Sequence, residues 1–326
     1  SQGTLFSLDT NGTGFIKLYD FQQLTGGHPK GILSLASGNR FVGNTYDGGP
    51  ANYGSVFTIN TDGTNFISTG IYDFFGVGAN PVGGLIFSSS QNKYYGLTSN
   101  GGNTSNGMLV SVDLTNFDLT GVFSFNDAGI DGGFPIGGII KGSNGRVYGT
   151  TSKGGVNGLG IAFQLDANGN NFIKMAEFIY DTIGSDPRGS LVETSNGKFI
   201  GMAYSGGLFG FGSIYEIDPT LPAPSTPLQK LPLSSGLGTY PRGGLIKANN
   251  GKYYGLTSSG GANGDGVLFE YNPITNNYIK RHEFSSLSNG SAPIGNLVQA
   301  ANGSLYGFTT GGGLNAGGVI FKYNLI

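Results

Sequence analysis

One pattern recurs along the whole chain at a fixed spacing, and residues 241–271, PRGGLIKANNGKYYGLTSSGGANGDGVLFEY, give its fullest copy. Pro29, Pro81, Pro135, Pro187, Pro241 and Pro293 open successive copies 52 or 54 residues apart. A glycine ending a Tyr-Gly element follows at Gly43, Gly96, Gly149, Gly201, Gly255 and Gly307. Five residues later come Gly-Gly pairs at Gly48, Gly101, Gly154, Gly206, Gly260 and Gly312. A further glycine, at Gly54, Gly107, Gly160, Gly212, Gly266 and Gly318, opens the next strand. A period of this length filled with strand-like segments points to a propeller or a repeat array.

Each copy reads as four short strands. An aliphatic run such as Leu245-Ile246 precedes an Asn-Gly turn such as Asn250-Gly251, and the Tyr-Gly strand follows. Asn-Gly favours a turn whose twist matches an antiparallel pair, so these two strands form a hairpin. The third strand alternates, with Val267, Phe269 and Tyr271 on one side and Leu268 and Glu270 on the other, the mark of a half-buried strand. The fourth is seen in FIKLYDF (15–21), FIKMAEF (172–178) and YIKRHEF (278–284). In the fourth copy this region carries Pro219, Pro222, Pro224, Pro227 and Pro232, and proline in a sheet belongs at an edge, so the fourth strand is expected outermost.

The pattern P-x-G-G-L, then N-G-x-x-Y-G-x-T, then G-G, then G-x-x-F resembles the glycine-rich GloVer tandem repeats of secreted and surface-anchored bacterial proteins, and it covers nearly the whole chain. The resemblance implies a repeat architecture and a secreted or bacterial cell-surface location; it implies no activity. Phe41-Val42-Gly43 and Phe199-Ile200-Gly201 lack the tyrosine, and Val110 replaces the third-strand aromatic of the second copy.

Composition supports a packed chain. Sixty-two glycines without a collagen-like triplet would suit disorder, but 23 Phe and 17 Tyr at periodic positions require a core. A net charge of −2 leaves no basic footprint for nucleic acid. The absence of cysteine rules out disulfides and thiolate metal sites, and no apolar run is long enough for a membrane helix. The expected fold is all-β, a single six-bladed β-propeller spanning 1–326, with blades at 29–74, 81–125, 135–178, 187–233, 241–284 and 293–326. The last blade stops after its third strand, so residues 15–21 are expected to supply its fourth and close the ring. One strand is then surplus, because GTLFSL at 3–8 repeats what GVIFKY at 318–323 supplies. It either pairs with 15–21 as a hairpin around Asn11-Gly12, displaces the C-terminal strand, or inserts into a second copy to make a homo-oligomer.

Propeller connectivity sorts the loops onto two faces. On one face the residues Arg40, Lys93, Arg146, Lys198, Lys252 and Ser304 occupy the same repeat position, a candidate ring for anions. On the other, Thr45, Thr98, Thr151, Thr257 and Thr309 recur two residues after the Tyr-Gly glycine, with Ala203 as the exception. The next position is Tyr46 in blade one and Tyr204 in blade four, and the Gly-Gly loops of these blades also carry Tyr53, Phe209 and Phe211. Lys30, Arg188 and Arg242 follow the opening prolines of three blades. Aromatic rings beside hydroxyls and cations suit stacking on a sugar or gripping a peptide, so these eight residues form the candidate ligand-binding set. They are expected to be more exposed than the periodic Phe57, Phe163, Tyr215, Phe269 and Phe321.

Catalysis finds less support. Two histidines, His28 and His282, make no pair, and Asp127, Asp131, Asp181 and Asp186 lie in ordinary-looking turns without calcium-loop spacing. No cofactor or metal is expected, and the chain is read as a non-enzyme. The leading reading is a secreted or cell-surface module with a binding or structural role, its partner an extracellular polysaccharide or a surface protein. The alternatives are a carbohydrate-binding lectin-like propeller, a surface-fibre subunit assembling by strand exchange, and an extracellular carbohydrate-active enzyme. The absence of Trp counts against the lectin, since Trp is the commonest sugar-stacking side chain.

Overall fold

The computed structural model describes residues 2–126 and 131–325, and among them every regular element is a strand. β1 (Thr4–Ser7) and β2 (Ile16–Asp20) pair with each other. Blade one holds β3 (Gly27–Ala36), β4 (Arg40–Asp47), β5 (Ser55–Asn60) and β6 (Ile67–Ile71). Blade two holds β7 (Ala79–Ser88), β8 (Lys93–Asn100), β9 (Met108–Asp113) and β10 (Asp118–Ser124). Blade three holds β11 (Ile140–Lys141), β12 (Val147–Thr151), β13 (Ile161–Leu165) and β14 (Ile173–Glu177). In blade four the first strand is broken into β15 (Ser185–Pro187) and β16 (Val192–Glu193), both paired with β17 (Phe199–Ser205), which leads to β18 (Ser213–Ile217) and β19 (Leu228–Pro232). Blade five holds β20 (Ile246–Lys247), β21 (Tyr253–Thr257), β22 (Val267–Asn272) and β23 (Asn277–Glu283). The last blade holds β24 (Ser291–Gln299), β25 (Leu305–Gly311) and β26 (Ile320–Tyr323).

These are six antiparallel meanders in chain order, the sheets of a six-bladed β-propeller, and the fourth strand is outermost in every blade that has one. The chain divides into two compact units, residues 1–148 with 164–172, and residues 149–163 with 173–326. Within each unit the cores lie between neighbouring blades. Val42 and Val56 of blade one pack with Leu85, Met108 and Val110 of blade two, and Ile200 and Ile214 of blade four pack with Leu245, Val267 and Phe269 of blade five. The Tyr-Gly glycine recurs because the third-strand aromatic lies on it: a Cβ at Gly43 would reach Phe57 Cζ at 2.7 Å, and one at Gly255 would strike the Phe269 ring. At Gly96, opposite Val110, Leu85 takes that place at 2.7 Å.

A second periodic contact joins one blade to the next. The residue before each opening proline has a left-handed backbone: His28, Asn80, Phe134, Asp186, Tyr240 and Ala292 have φ of 47°, 57°, 52°, 55°, 55° and 51°. That conformation is uncommon for residues with a side chain. It aims each amide at the preceding repeat. Asn80 donates to the Tyr53 carbonyl at 2.8 Å, Phe134 to Asn106 at 2.7 Å, Asp186 to Leu159 at 3.1 Å, Tyr240 to Phe211 at 3.0 Å and Ala292 to Asp265 at 2.9 Å. The proline ring then rests on the glycine after that carbonyl, as Pro81 does on Gly54 and Pro293 on Gly266.

The same contact settles where the surplus strand goes. His28 donates to Gln2 at 2.6 Å, and Pro29 Cδ lies 2.7 Å from where a Gly3 Cβ would stand, so β1 and β2 dock on blade one as the outer half of a preceding blade. Asp9 and Thr13 close the short turn between them at 2.9 Å, and Tyr19 and Phe21 pack on Phe57 and Phe66. The hairpin around Asn11-Gly12 is therefore as expected, with β2 paired to β1. The proline-rich segment of blade four lies along β14, where Ser225 donates to the Met175 carbonyl at 2.8 Å.

Gly266→Ala tests the interblade contact. At a φ of +103° the new methyl would strike the Thr257 carbonyl and stand 2.7 Å from Pro293 Cδ. Urea unfolding is expected to show a loss of about 2–4 kcal/mol. Gly251→Ala, at a φ of +79° with open space around it, is expected to cost only about 1 kcal/mol. Equal losses would count against the contact.

Candidate ligand-binding surface

The Gly-Gly loops share a main-chain frame. Gly54 donates to Gly48, Gly107 to Gly101, Gly160 to Gly154, Gly212 to Gly206, Gly266 to Gly260 and Gly318 to Gly312, all at 2.9–3.1 Å. Because backbone closes each loop, the residues between the glycines are free to vary. The sequence-predicted residues fall into two groups, one in each compact unit.

In blade one, β3 and β4 pair with Lys30 opposite Asn44, and the Lys30 ammonium lies 3.4 Å from the centroid of the Tyr46 ring. Desolvation lowers the Lys30 pKa below the ordinary lysine value, and Asp47 opposes that shift. Asp47 also accepts from His28 Nδ1 at 2.9 Å. Tyr53, 38% exposed, lies against Phe74 with ring centroids 5.7 Å apart.

Blade four carries a larger group. The Arg188 guanidinium lies 3.7 Å from the centroid of Tyr204, while its Nε and Nη2 donate to Asp186 at 2.8 and 2.5 Å. Arg242 approaches the same ring at 5.5 Å and donates from Nη2 to the Tyr204 hydroxyl at 3.4 Å. Tyr240 packs on Tyr204 at 5.4 Å and on Phe211 at 5.9 Å, joining residues that the sequence placed on one face without a link. Phe209 is 54% exposed at the loop tip, beside Leu208. Arg188 is neutralised by Asp186, whereas Arg242 has no ion-pair partner among the described residues. The arrangement offers aromatic edges, a phenol and one free guanidinium to a ligand.

The loop aromatics are more exposed than Phe57, Phe163, Tyr215 and Phe269, which are fully buried, but Phe321, expected to be buried with these, is half-buried like Tyr46, Tyr204 and Phe211. Tyr240 is missed in the sequence, and Asp186 is taken there only as a turn carboxylate. Both precede an opening proline, and the signal lay in the variation of that position among His, Asn, Phe, Asp, Tyr and Ala. The repeated threonines do not belong to the surface. Thr45, Thr98, Thr151, Thr257 and Thr309 are buried, and each hydroxyl accepts the amide that follows the third-strand glycine, as Ser55 donates to Thr45 at 3.0 Å and Val267 to Thr257 at 3.1 Å.

The candidate anion ring on the other face is largely neutralised. Arg146 pairs with Asp166 at 3.1 Å, Lys198 with Glu216 at 3.1 Å and Asp218 at 3.4 Å, and Lys252 with Glu270 at 2.9 Å. Antiparallel pairing sets a third-strand carboxylate within reach of a second-strand cation, so these charges serve the blade itself. Of the loop aspartates, Asp186 is tied to Arg188, Asp181 is exposed, and Asp127 lies outside the described residues. Among the described residues no three His, Asp or Glu side chains gather as metal ligands would.

Meanders of this kind, joined by a proline on a glycine and carrying variable Gly-Gly loops, define a tandem-repeat β-propeller. The chain belongs to the Gloeobacter/Verrucomicrobia repeat family, whose model matches residues 1–140, 118–231 and 222–326. No curated protein matches it in sequence. Its fold is similar to that of the extracellular domain of a putative hybrid two-component system from B. thetaiotaomicron, with a TM-score of 0.62, 14% identity, and 98% of this chain aligned with 39% of that one. TolB from Acinetobacter baumannii (TM-score 0.44, 14% identity, 80% of this chain and 55% of that one) also aligns. So does a gluconolactonase from Xanthomonas campestris (TM-score 0.49, 10% identity, 86% and 91%). The chain spans about two fifths of the length of the first of these structures and about half that of the second.

The carboxylate at the centre of the blade-five ion pairs gives a pH test. Burial works to raise the Glu270 pKa, and hydrogen bonds from Lys252, Arg281 and Tyr254 outweigh it, so the group stays below the ordinary value of 4.5. A depressed carboxylate stabilises the fold above its unfolded pKa, and that contribution is lost as pH falls through the folded value. Glu270→Gln is expected to cost about 1–3 kcal/mol at pH 7. It should also flatten the decline in Tm between pH 5 and 3, an interval of about two units around the ordinary carboxylate pKa; a parallel decline in both proteins would contradict the pairing.

Proposed function

We propose that the chain is an extracellular binding module, non-catalytic, that holds a polysaccharide on the Gly-Gly loops of blade four. The observation that carries this reading is the Tyr204 group, with Tyr240 and two arginines packed about one ring, one arginine free of carboxylate, and Phe209 standing exposed beside them. Aromatic side chains with a polar tip supply contact area to a sugar face at low entropic cost, and a guanidinium adds directed donors. The Lys30–Tyr46 pair of blade one is a smaller version of the same device. An extracellular location is supported by the extracellular domain that shares the fold.

A second reading, assembly by strand exchange, is favoured by the strand edges. Among the described residues β1 pairs along one edge only, and no fourth strand pairs with β26. Light scattering distinguishes it, since concentration-dependent growth of the full chain is expected from exchange and a constant monomer mass excludes it.

The binding reading is tested on a polysaccharide panel with the full chain and the variants Tyr204→Ala, Arg242→Ala and Phe209→Ser. Each variant is expected to keep its Tm within a few degrees and to weaken binding about tenfold or more, the effect of losing one stacked or charge-assisted contact. Unchanged binding by all three variants would overturn it.

A further inference from the structure

Arg40 differs from its counterparts in blades three, four and five, each of which pairs with a carboxylate; blade two, with Lys93 and Ser111, also lacks the acid. Eighteen residues after the cation, blades four and five place Glu216 and Glu270, but blade one places Thr58. Arg40 Nη2 donates to the Thr58 hydroxyl, its Nε is buried without a hydrogen-bond partner, and no carboxylate pairs with it among the described residues. A half-buried cation whose Nε lacks a partner attracts an external anion.

The guanidinium opens into a cleft between blades one and two, within one compact unit, of about 450 Å³. One wall is aromatic: Phe87, 45% exposed, meets Tyr94 with ring centroids 5.0 Å apart. Leu35 and Leu114 add apolar surface, and Ser37, Thr58, Asn92 and Asp113 supply polar groups. Asp113 accepts from the Thr115 amide and hydroxyl at 2.9 and 2.6 Å. The corresponding groove between blades four and five measures about 80 Å³, and Lys247 stands there in place of Phe87. The repeat thus supplies a narrow groove that blade one and blade two enlarge and line with an unpaired cation and an exposed ring.

We propose that this cleft binds one acidic sugar residue, a hexuronate, with its carboxylate on Arg40, the apolar face of its ring on Phe87 and Tyr94, and its hydroxyls toward Thr58, Asn92 and Asp113. A volume of this size suits a small ligand held by one charge and a few polar groups. The site is separate from the Tyr204 group and stands whether or not that surface binds a glycan.

The test is calorimetric and NMR titration of the full chain with glucuronate, galacturonate and, as the neutral probe, glucose. Saturable uronate binding is expected, with glucose at least tenfold weaker. Arg40→Gln is expected to weaken uronate binding tenfold or more and Arg40→Lys less; Phe87→Ala, at an exposed position that the fold does not need, several-fold; Tyr204→Ala not at all. If Arg40→Gln fails to fold, the Phe87→Ala titration decides. Absence of saturable uronate binding, equal affinity for glucose, or unchanged affinity in Arg40→Gln or Phe87→Ala would overturn the proposal.

Discussion

A proline ring resting on a glycine, with the residue before the proline donating its amide to the carbonyl beside that glycine, is the contact on which the rest of the chain depends. It joins the outer half of one repeat to the first strand of the next, and it demands two things at once. The glycine must lack a Cβ, as at Gly266, where Pro293 and the Thr257 carbonyl fill the space. The residue before the proline must take a left-handed backbone, an energetic cost offset by the hydrogen bond it makes. In the blades that carry it, a buried threonine also holds the amide that follows the glycine, as Thr257 holds Val267; blade four makes the contact with Ala203 there. The spacing of these landmarks is the periodicity that dominates the sequence.

With the frame carried by backbone and by buried side chains, the loop residues are released for other uses. Gly206 and Gly212 close their loop without help from Leu208, Phe209 or Phe211, so blade four can carry aromatics where blade five carries Ala262, Asn263 and Asp265. The pre-proline residues share this freedom. Their unusual φ brings Asp186 and Tyr240 to Arg188 and Tyr204, so that one strained position serves both the joint and the surface. On the other side of the blades the opposite holds: in blades three to five the cations at the start of the second strand are consumed by carboxylates on or beside the third strand, whereas blade one, with Thr58 against Arg40, supplies no such acid among the described residues.

The blades were legible in the sequence because their determinants are local and repeated: Asn-Gly turns, period-two alternation, and glycines seated beneath Phe57 and Phe269. The loop aromatics were legible as departures from a repeat. What was not legible came from pairing across the chain. The docking of residues 3–8 rests on Gly3 meeting Pro29, a contact that no local signal in the sequence marks. The repeated cations looked like a charged ring because the carboxylates that neutralise them lie about 18 residues further on, on the next strand. The hydroxyls of Thr45 and its counterparts looked accessible because their acceptor role inside the blade has no sequence mark. Tyr240 escaped notice because the residue after each proline, and not the one before it, drew attention.

Native-state hydrogen exchange at six amides, those of His28, Asn80, Phe134, Asp186, Tyr240 and Ala292, bears on the interblade contact without any substitution. His28, Asn80, Asp186 and Ala292 sit second in their strands and Phe134 and Tyr240 outside any strand, positions where amides ordinarily exchange as fraying segments do. If each donates to the carbonyl of the preceding repeat, all six exchange as slowly as the amides of the central strands, His28 included. Exchange of the five later amides at the rate of the neighbouring loops would contradict the contact; rapid exchange of His28 alone would contradict the docking of β1 and β2 on blade one.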